Sequence, residues 1–167
     1  MKASYGYCKV PTILQMEVTE CGAACLAMIL AYYGRYIPLE QLRLETDVAR
    51  DGISFQNIIN AAELHNLEGT GHGRDKIETL AMSRLPAIIW WEQNHFVVFE
   101  GIRGKYAYIN DPAYGRRKLS LSELANGYSG RVLEFSPCEG FIKVKKREQL
   151  LSSLLKRMQD YTGLLLK

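Results

Sequence analysis

The sequence QMEVTECGAACLAMIL, residues 15–30, is the part of the chain from which the fold and the chemistry are most directly predicted. After Glu20 the residues are small or apolar up to Tyr33 and Gly34 follows, a pattern that predicts one helix over residues 20–33. We expect Thr19 to cap the start of this helix and Gly34 to end it in the left-handed conformation. Cys21 then lies in the first turn, where unpaired backbone N–H groups and the helix dipole favour a thiolate.

Three neighbours of Cys21 suit a nucleophilic thiol. Gln15 carries an amide that could donate a hydrogen bond to an oxyanion forming near the sulfur. Gly22 and Ala23 are small enough to leave room for a second chain beside it. A cysteine on an alanine-rich helix is nevertheless more often a packed core residue. This stretch alone therefore leaves a catalytic and a structural interpretation open.

The overall composition is that of one ordinary globular domain. The chain has 167 residues, of which 47% are apolar and 23% charged. A net charge of +3 is too small to indicate a nucleic-acid partner. Four cysteines without a signal peptide indicate a reducing, cytosolic environment rather than a disulfide framework. No apolar run approaches the roughly 20 residues that cross a bilayer.

The order of the predicted elements indicates an α+β domain, in which an N-terminal helical part packs on an antiparallel sheet. Short helices are expected after Pro38 and after the capping residue Ser54. β-branched and aromatic runs predict strands, and Ser120 with Glu123 has the spacing of a capping box. The later helices are predicted over residues 38–45, 55–66, 75–83 and from Ser120, and the strands over 86–91, 95–101, 105–110, 116–119 and 131–135.

The remaining cysteines and histidines do not form a recognisable metal site. Cys25 lies one turn after Cys21, but no second pair of ligands completes a zinc spacing, so Cys25 is expected in the core and no metal or cofactor is predicted. His65, near the end of a helix, is assigned a structural or surface role. His72, within a Gly-His-Gly run, is expected in a loop.

His95 and Asp111 supply the other groups of a thiol-based site. His95 begins one predicted strand and Asp111 ends the next, with the three-residue loop Ile102-Arg103-Gly104 between the two strands. Such a loop would pair residues whose numbers sum to 206, which sets His95 directly opposite Asp111 with Cβ atoms about 5 Å apart. A two-residue turn would shift the register by one and put the two on opposite faces.

Together these residues form one coherent catalytic arrangement. Cys21 would be the nucleophile, His95 the base that later protonates the leaving amine, and Asp111 the carboxylate that orients the imidazole. Against this interpretation, a histidine beside apolar strands can be purely structural, and an Asp-Pro pair can simply begin a turn. The coincidence of all three with Gln15 favours catalysis.

Three blocks of the sequence resemble the signature blocks of the bacteriocin-processing cysteine peptidases. These are papain-like domains at the N-terminus of peptidase-containing ABC transporters. The blocks are QMEVTECGAACL at residues 15–26, NHFVV at 94–98 and DPAYG at 111–115. The resemblance covers about residues 8–140, with the blocks in the same order and spacing.

The resemblance implies a function and a role for each site residue. Members of this family cut leader peptides from bacteriocin or lanthipeptide precursors after a double-glycine motif, on the cytosolic side and before export. By this resemblance Cys21 is the nucleophile, His95 the base, Asp111 the orienting acid and Gln15 the oxyanion donor. Glu20 stands where many members have aspartate.

Substrate contacts are the part of the site least defined by the sequence. We expect Gly22 and Ala23 to border a narrow channel that admits only glycines before the scissile bond. A leader bound as an amphipathic helix needs an apolar groove away from the sulfur. The candidates for its lining, each equally explained by ordinary packing, are Tyr5, Tyr7, Met28, Tyr32 and Tyr36.

Residues 1–146 are expected to form the peptidase domain, and residues 147–167 a helix or linker toward a membrane-spanning region. The expected partners are a precursor peptide and the transmembrane and nucleotide-binding domains of the same transporter. Two alternatives stay open: a non-cleaving leader-binding module, and another Cys-His-Asp acyl-transfer enzyme. The first would be expected to lack the cysteine or the histidine, and this chain has both.

Overall fold

The computed structural model describes residues 6–47 and 52–145. The predicted C-terminal helix over residues 147–167 lies outside the described residues, as does Tyr5. The division of the chain at residue 146 therefore stays a prediction.

The first helix begins later than the sequence predicts. A short 3-10 turn, Val18–Glu20, leads into α1, Cys21–Tyr32. The prediction that Thr19 caps the helix is wrong, because Thr19 lies inside the 3-10 turn and Glu20 occupies the N-cap position. Gly34 does end the helix with φ +94°, as predicted.

Two further helices pack beside α1 on the same side of the sheet. They are α2, Leu39–Glu45, and α3, Phe55–Glu63, close to the predicted bounds. The Ser54 hydroxyl accepts the backbone N–H of Asn57 and so caps α3 as predicted. His65 is structural and not on the surface, because it is 4% exposed and its Nε2 lies 2.6 Å from the Glu45 carboxylate.

Within the described residues, six antiparallel strands form one sheet, in the order β1-β6-β2-β3-β4-β5. A four-residue helix α4, Ile77–Leu80, shorter than the predicted 75–83, precedes β2, and α5, Leu121–Gly127, precedes β6. Ser120 and Glu123 form the predicted capping box of α5. The strands are β1 Leu67–Gly73, β2 Ala87–Trp91, β3 His95–Arg103, β4 Tyr106–Asp111, β5 Gly115–Ser120 and β6 Tyr128–Pro137.

Strand β1 was not predicted from the sequence. Its residues, LEGTGHG, contain three glycines and no β-branched run, so their composition is typical of a loop. They form a strand because they pair along their whole length with β6, from Leu67 opposite Pro137 to Gly73 opposite Arg131. His72 therefore lies in a strand and not in a loop.

The sheet is buried on both faces, and each face has its own core. The helices α1, α2 and α3 pack on one face against Ile88, Phe96, Val98 and Leu133. Helices α4 and α5 close the other face over Ile89, Val97, Phe99 and Ile109. The predicted α+β arrangement, with an N-terminal helical part on an antiparallel sheet, is confirmed.

The hairpin between β3 and β4 differs from the predicted register. Only two residues, Gly104 and Lys105, connect the strands, and Arg103 pairs with Tyr106. This turn alone would put His95 and Asp111 on opposite faces. A β-bulge at residues 99–101 corrects the offset by one residue, so that Val98 pairs with Asn110. If this register is extended by one residue, Asp111 lies opposite Val97. Since Val97 is two residues from His95 along the strand, His95 and Asp111 lie on the same face of the sheet.

Candidate active site

The Cys21 thiol lies at the first residue of α1 and is 7% exposed. The first N–H groups of a helix have no intrahelical partner, so this position offers donors and a positive dipole end. The thiols of Cys25 and the half-buried Cys8 are less suited to reaction. Burial, together with the charges of Cys21 and Asp111, raises the pKa of Cys25 well above its usual value, and burial with the Glu100 charge raises that of Cys8 to about 12.

Cys25 has the core position that the sequence predicts. It is fully buried one turn after Cys21, and its Sγ donates a hydrogen bond to the carbonyl oxygen of Phe96 at 3.3 Å. This bond joins α1 to β3 one residue after His95. The contact therefore fixes the helix that carries the thiol to the strand that carries the imidazole.

His95 and Asp111 are in contact, although their register differs from the predicted one. The distance from His95 Nε2 to Asp111 Oδ1 is 2.9 Å. The Cys21 thiol is close enough to His95 to help raise the pKa of the imidazole, through hydrogen bonding and charge. Since Nε2 is used by the carboxylate, Nδ1 is the ring nitrogen left for the sulfur. The structure thus brings the three predicted side chains together in the order thiol, imidazole, carboxylate.

The Asp111 carboxylate is buried and well supplied with donors. It is 1% exposed, Oδ1 accepts the backbone N–H of Ala113 at 2.9 Å, and Oδ2 lies 3.5 Å from Arg117 Nη1. Burial acts to raise the pKa of Asp111, but the bonds from His95 and Ala113 and the nearby positive charges lower it below its usual value. Asp111 is therefore an anion over the physiological pH range.

Gln15 is held through its backbone, next to the end of β4. Its N–H donates to the carbonyl oxygen of Pro112 at 2.8 Å. Its side-chain Nε2 makes only a long contact of 3.5 Å with the Val18 carbonyl, and Oε1 is buried with no partner among the described residues. The amide is therefore close to the Asp111 segment and has donor capacity to spare.

Gly22 and Ala23 lie in the interior and not along an open channel. Ala23 is fully buried. A Cβ on Gly22 would come within 2.9 Å of Ile58 Cδ1 and 3.3 Å of Ile53. The small size of Gly22 therefore makes room for two core isoleucines, and the structure assigns both residues to helix packing.

Several of the residues considered for the lining of a substrate groove pack against other parts of the protein instead. Met28 is fully buried in the core, so that prediction is wrong. Tyr7 packs on the Tyr108 ring, at 4.9 Å between centroids. Tyr32 is 39% exposed but packs edge-on against its neighbour Tyr33.

A groove that the sequence did not reveal runs between α3 and the sheet. Two open cavities of about 580 Å³ and 610 Å³ share Phe55 and Arg131. We call their joint surface the α3 groove; its lining includes Phe55, Ile59, His72, Trp90 and Arg131. The Phe55 ring packs on those of Trp90 and Phe96, at 5.5 Å and 4.9 Å. The Phe55 ring thus joins the groove to the core residue Phe96.

Two other kinds of site are not seen in the described part of the chain. Residues 6–47 and 52–145 contain no cluster of three or more His, Cys, Asp or Glu side chains arranged to hold a metal ion. Within the same residues, no helix combines the length and the apolar character that a bilayer crossing requires.

The fold is that of the papain-like cysteine peptidases, with a thiol on the first turn of a helix and an imidazole on the adjoining sheet. More specifically, the chain belongs to the peptidase C39 family, whose model matches residues 9–140. A double glycine motif protease from an AMS/PCAT transporter, solved in complex with a leader peptide, shares 46% identity and a TM-score of 0.77. The match covers 80% of this chain and 96% of that one.

Similar full-length proteins are secretion and processing transporters. The colicin V secretion/processing ATP-binding protein of Escherichia coli is 32% identical over 133 residues, 80% of this chain. The lacticin-481/lactococcin-DR transport/processing ATP-binding protein of Lactococcus lactis subsp. lactis is 30% identical over 148 residues, 86% of this chain. The chain spans only about a fifth of these relatives, 19% and 21% of their lengths.

Proposed function

We propose that this domain removes the leader peptide of a bacteriocin or lanthipeptide precursor by cutting after a Gly-Gly motif, and that Cys21 is its nucleophile. The observation that carries the proposal is the 2.9 Å contact of His95 with the buried Asp111 carboxylate, beside a buried thiol, Cys21, at the first residue of α1. The 46% identity to a double glycine motif protease solved with a leader peptide supports the choice of substrate.

In the proposed reaction the thiol proton has passed to His95 before the substrate is attacked, and the resulting Cys21 thiolate attacks the carbonyl carbon of the second glycine. The C–O π electrons move to the oxygen, which receives hydrogen bonds from Gln15 Nε2 and the Cys21 backbone N–H. When the tetrahedral intermediate collapses, the C–N bond breaks and His95 gives its proton to the leaving amine. Water, deprotonated by His95, then hydrolyses the thioester and restores the thiol.

Asp111 acts in this reaction through the imidazole. Its Oδ1 bond fixes the ring orientation and stabilises the imidazolium that forms on proton transfer. The backbone N–H of Ala113 and the Arg117 side chain hold the carboxylate in turn. The carboxylate need not be protonated at any step.

We propose that the leader binds in the α3 groove. The groove offers two aromatic rings, Phe55 and Trp90, and the cationic side chain of Arg131. An amphipathic leader helix could place its apolar side chains on these rings. The double-glycine segment would then run from the groove to Cys21.

The context of the cleavage is proposed from the relatives. Secretion/processing transporters contain a region that this chain matches, so we propose that transmembrane and nucleotide-binding domains are its partners. Cleavage would then take place at the cytoplasmic face of the membrane, before export of the product.

The direct test is mass spectrometry of a double-glycine leader peptide incubated with the domain. We expect cleavage after the second glycine, at least about 10²-fold slower in Cys21→Ala. A substrate in which the second glycine is replaced by alanine is the matched control and should be cut poorly. Binding without cleavage would support the leader-binding module instead, and cleavage at unrelated sequences would support another acyl-transfer enzyme.

A further inference from the structure

A buried carboxylate holds the segment that carries Gln15. Glu20 is fully buried, immediately before Cys21. Its Oε2 accepts the backbone N–H of Met16 at 2.9 Å and that of Glu17 at 3.2 Å. These two N–H groups directly follow Gln15 in the chain. One side chain therefore fixes the backbone beside the amide relative to the start of α1.

The charge of Glu20 is compensated from α2. Arg43 Nε lies 2.6 Å from Glu20 Oε1, and Arg43 Nη2 lies 3.4 Å from the exposed carboxylate of Glu17. A buried carboxylate without a cation and without hydrogen bonds would cost several kcal/mol. Arg43 supplies the compensating charge and the two N–H groups satisfy Oε2, while Oε1 makes the ion pair without a hydrogen bond among the described residues.

The Gln15 amide depends on this support because its own side chain is weakly held. Its only described side-chain bond is the 3.5 Å contact with Val18, and its backbone has a second anchor at Pro112, 2.8 Å away. The bond to Pro112 is made by the backbone N–H of Gln15 itself, and the bonds to Glu20 are made by the next two N–H groups. The position of the amide is therefore set by the backbone on both sides.

We propose that Glu20 is a positioning residue that holds the oxyanion donor Gln15 at a fixed place relative to Cys21. This inference rests on the proposed function, since it assumes that Gln15 stabilises the oxyanion. Glu20 touches neither the substrate nor the thiol proton. Loss of its two N–H contacts should therefore lower kcat, leave KM unchanged and leave the thiol as reactive as before.

The main variant is Glu20→Met, which fills the same volume without an acceptor. We expect kcat to fall about 10-fold or more, with KM and the rate of Cys21 alkylation by iodoacetamide each within about 2-fold of wild type. Glu20→Gln keeps an oxygen for the two N–H groups and should recover kcat to within about 3-fold. Glu17→Gln, which changes the exposed partner of the same arginine, is the matched control and should leave kcat unchanged. All assays are run where thermal unfolding shows every variant to be folded.

A double-mutant cycle with Gln15→Ala separates positioning from general destabilisation. Gln15→Ala alone should lower kcat about 10²-fold or more. If Glu20 acts through Gln15, adding Glu20→Met to this variant should lower kcat by no more than about 2-fold further. Full additivity, or a Glu20→Met enzyme with wild-type kcat, would overturn the proposal.

The two hypotheses fail in different ways. Wild-type kcat in Gln15→Ala would show that Gln15 is not the oxyanion donor, which removes that part of the proposed function and the positioning proposal with it. If Gln15→Ala has a lowered kcat, but Glu20→Met has a normal kcat or its effect adds fully to that of Gln15→Ala, only the positioning proposal is overturned. A Glu20→Met variant with slowed alkylation would mean that Glu20 acts on the thiol, and would also overturn it.

Discussion

The pKa of His95 is determined by burial and by anionic neighbours, which act in opposite directions. Burial lowers the pKa, but the hydrogen bonds with Asp111 and Cys21 and the charges of these groups raise it from 6.5 to about 9. The imidazolium therefore persists over the range in which the enzyme would work. This form can protonate the leaving amine, which is the step that a neutral imidazole cannot perform.

Asp111→Asn should move the alkaline limit of activity to lower pH. In the wild type, kcat/KM should fall as pH rises through about 9, because His95 then loses its proton. Without the carboxylate charge the pKa of His95 falls toward its usual value, so the decline should begin earlier. The measurement is a pH profile of kcat/KM for both proteins.

Arg117→Gln is the control for this pH profile. It changes a side chain that contacts Asp111 Oδ2 at 3.5 Å but not the carboxylate itself, so its alkaline limit should stay near that of the wild type. An unchanged limit in Asp111→Asn would show that the carboxylate does not set the pKa of His95.

The sequence identified the candidate catalytic residues, but it did not identify every residue that holds them in place. His95 and Asp111 are in contact, with His95 Nε2 2.9 Å from Asp111 Oδ1, and Cys21 is close to His95. Glu20 reads in the sequence as a residue suited to the positive end of a helix dipole. Its burial and its bonds to two N–H groups depend on how the preceding chain folds back, which no local pattern reports.

At the scale of elements, the β-bulge in β3 determines the geometry of the candidate site. The sequence predicts the two strands from their apolar and aromatic residues but not the bulge between them. The predicted three-residue loop and the observed two-residue turn with a bulge put His95 and Asp111 on the same face by different routes. The predicted register is wrong, while the predicted proximity is confirmed.

The bulge also joins the N-terminal segment to the sheet. Glu100, the extra residue, is fully buried, and its Oε1 accepts the N–H of Val10 at 2.8 Å while Arg116 binds both carboxylate oxygens. The next residue, Gly101, has φ +112° and lies against the carbonyl of Gly6. The segment that leads to Gln15 is thereby attached to β3.

Gly101→Ala should destabilise the protein strongly. The new Cβ would overlap the Gly6 carbonyl oxygen and approach Leu85 Cδ1 to 2.6 Å, on a backbone conformation that L-residues rarely adopt. We expect the free energy of unfolding to fall by about 3 kcal/mol, measured by chemical denaturation.

Gly104→Ala is the matched control for the bulge. Gly104 also has a positive φ, +65°, but a Cβ at this position would meet no atom of the described chain within 4 Å beyond its two sequence neighbours. The free energy of unfolding should fall by only about 1 kcal/mol. Equal losses in the two variants would show that backbone conformation alone, and not the packed bulge, requires glycine at position 101.

At the scale of the whole molecule, the α3 groove is formed by elements far apart in sequence. It joins α3 to β1, β2 and β6, and β1 itself was not predicted because its glycines resemble a loop. A groove lined in this way produces no contiguous motif. For this reason the sequence predicted the catalytic residues more clearly than the surface that would bind the leader.

Phe55→Ala should weaken leader binding without changing the chemical step. Phe55 borders both cavities of the α3 groove, so its loss would remove part of the apolar surface on which we propose that the leader packs. We expect KM for a full-length leader substrate to rise about 10-fold with kcat within about 2-fold. Steady-state kinetics and the rate of Cys21 alkylation give the two readouts.

Tyr106→Ala removes an exposed aromatic ring that borders neither cavity of the α3 groove, and KM should stay unchanged in this control. A normal KM in Phe55→Ala would place leader binding elsewhere on the domain.

The central claim is that the Cys21 sulfur forms a thioester with the last glycine of the leader. It is tested most directly by quenching the wild-type reaction with acid during turnover and analysing the protein by mass spectrometry. We predict an adduct whose mass equals that of the leader minus one water, located on the peptide that contains Cys21 and absent from Cys21→Ala. Cleavage by Cys21→Ala at the wild-type rate, or an adduct on another residue, would contradict the account.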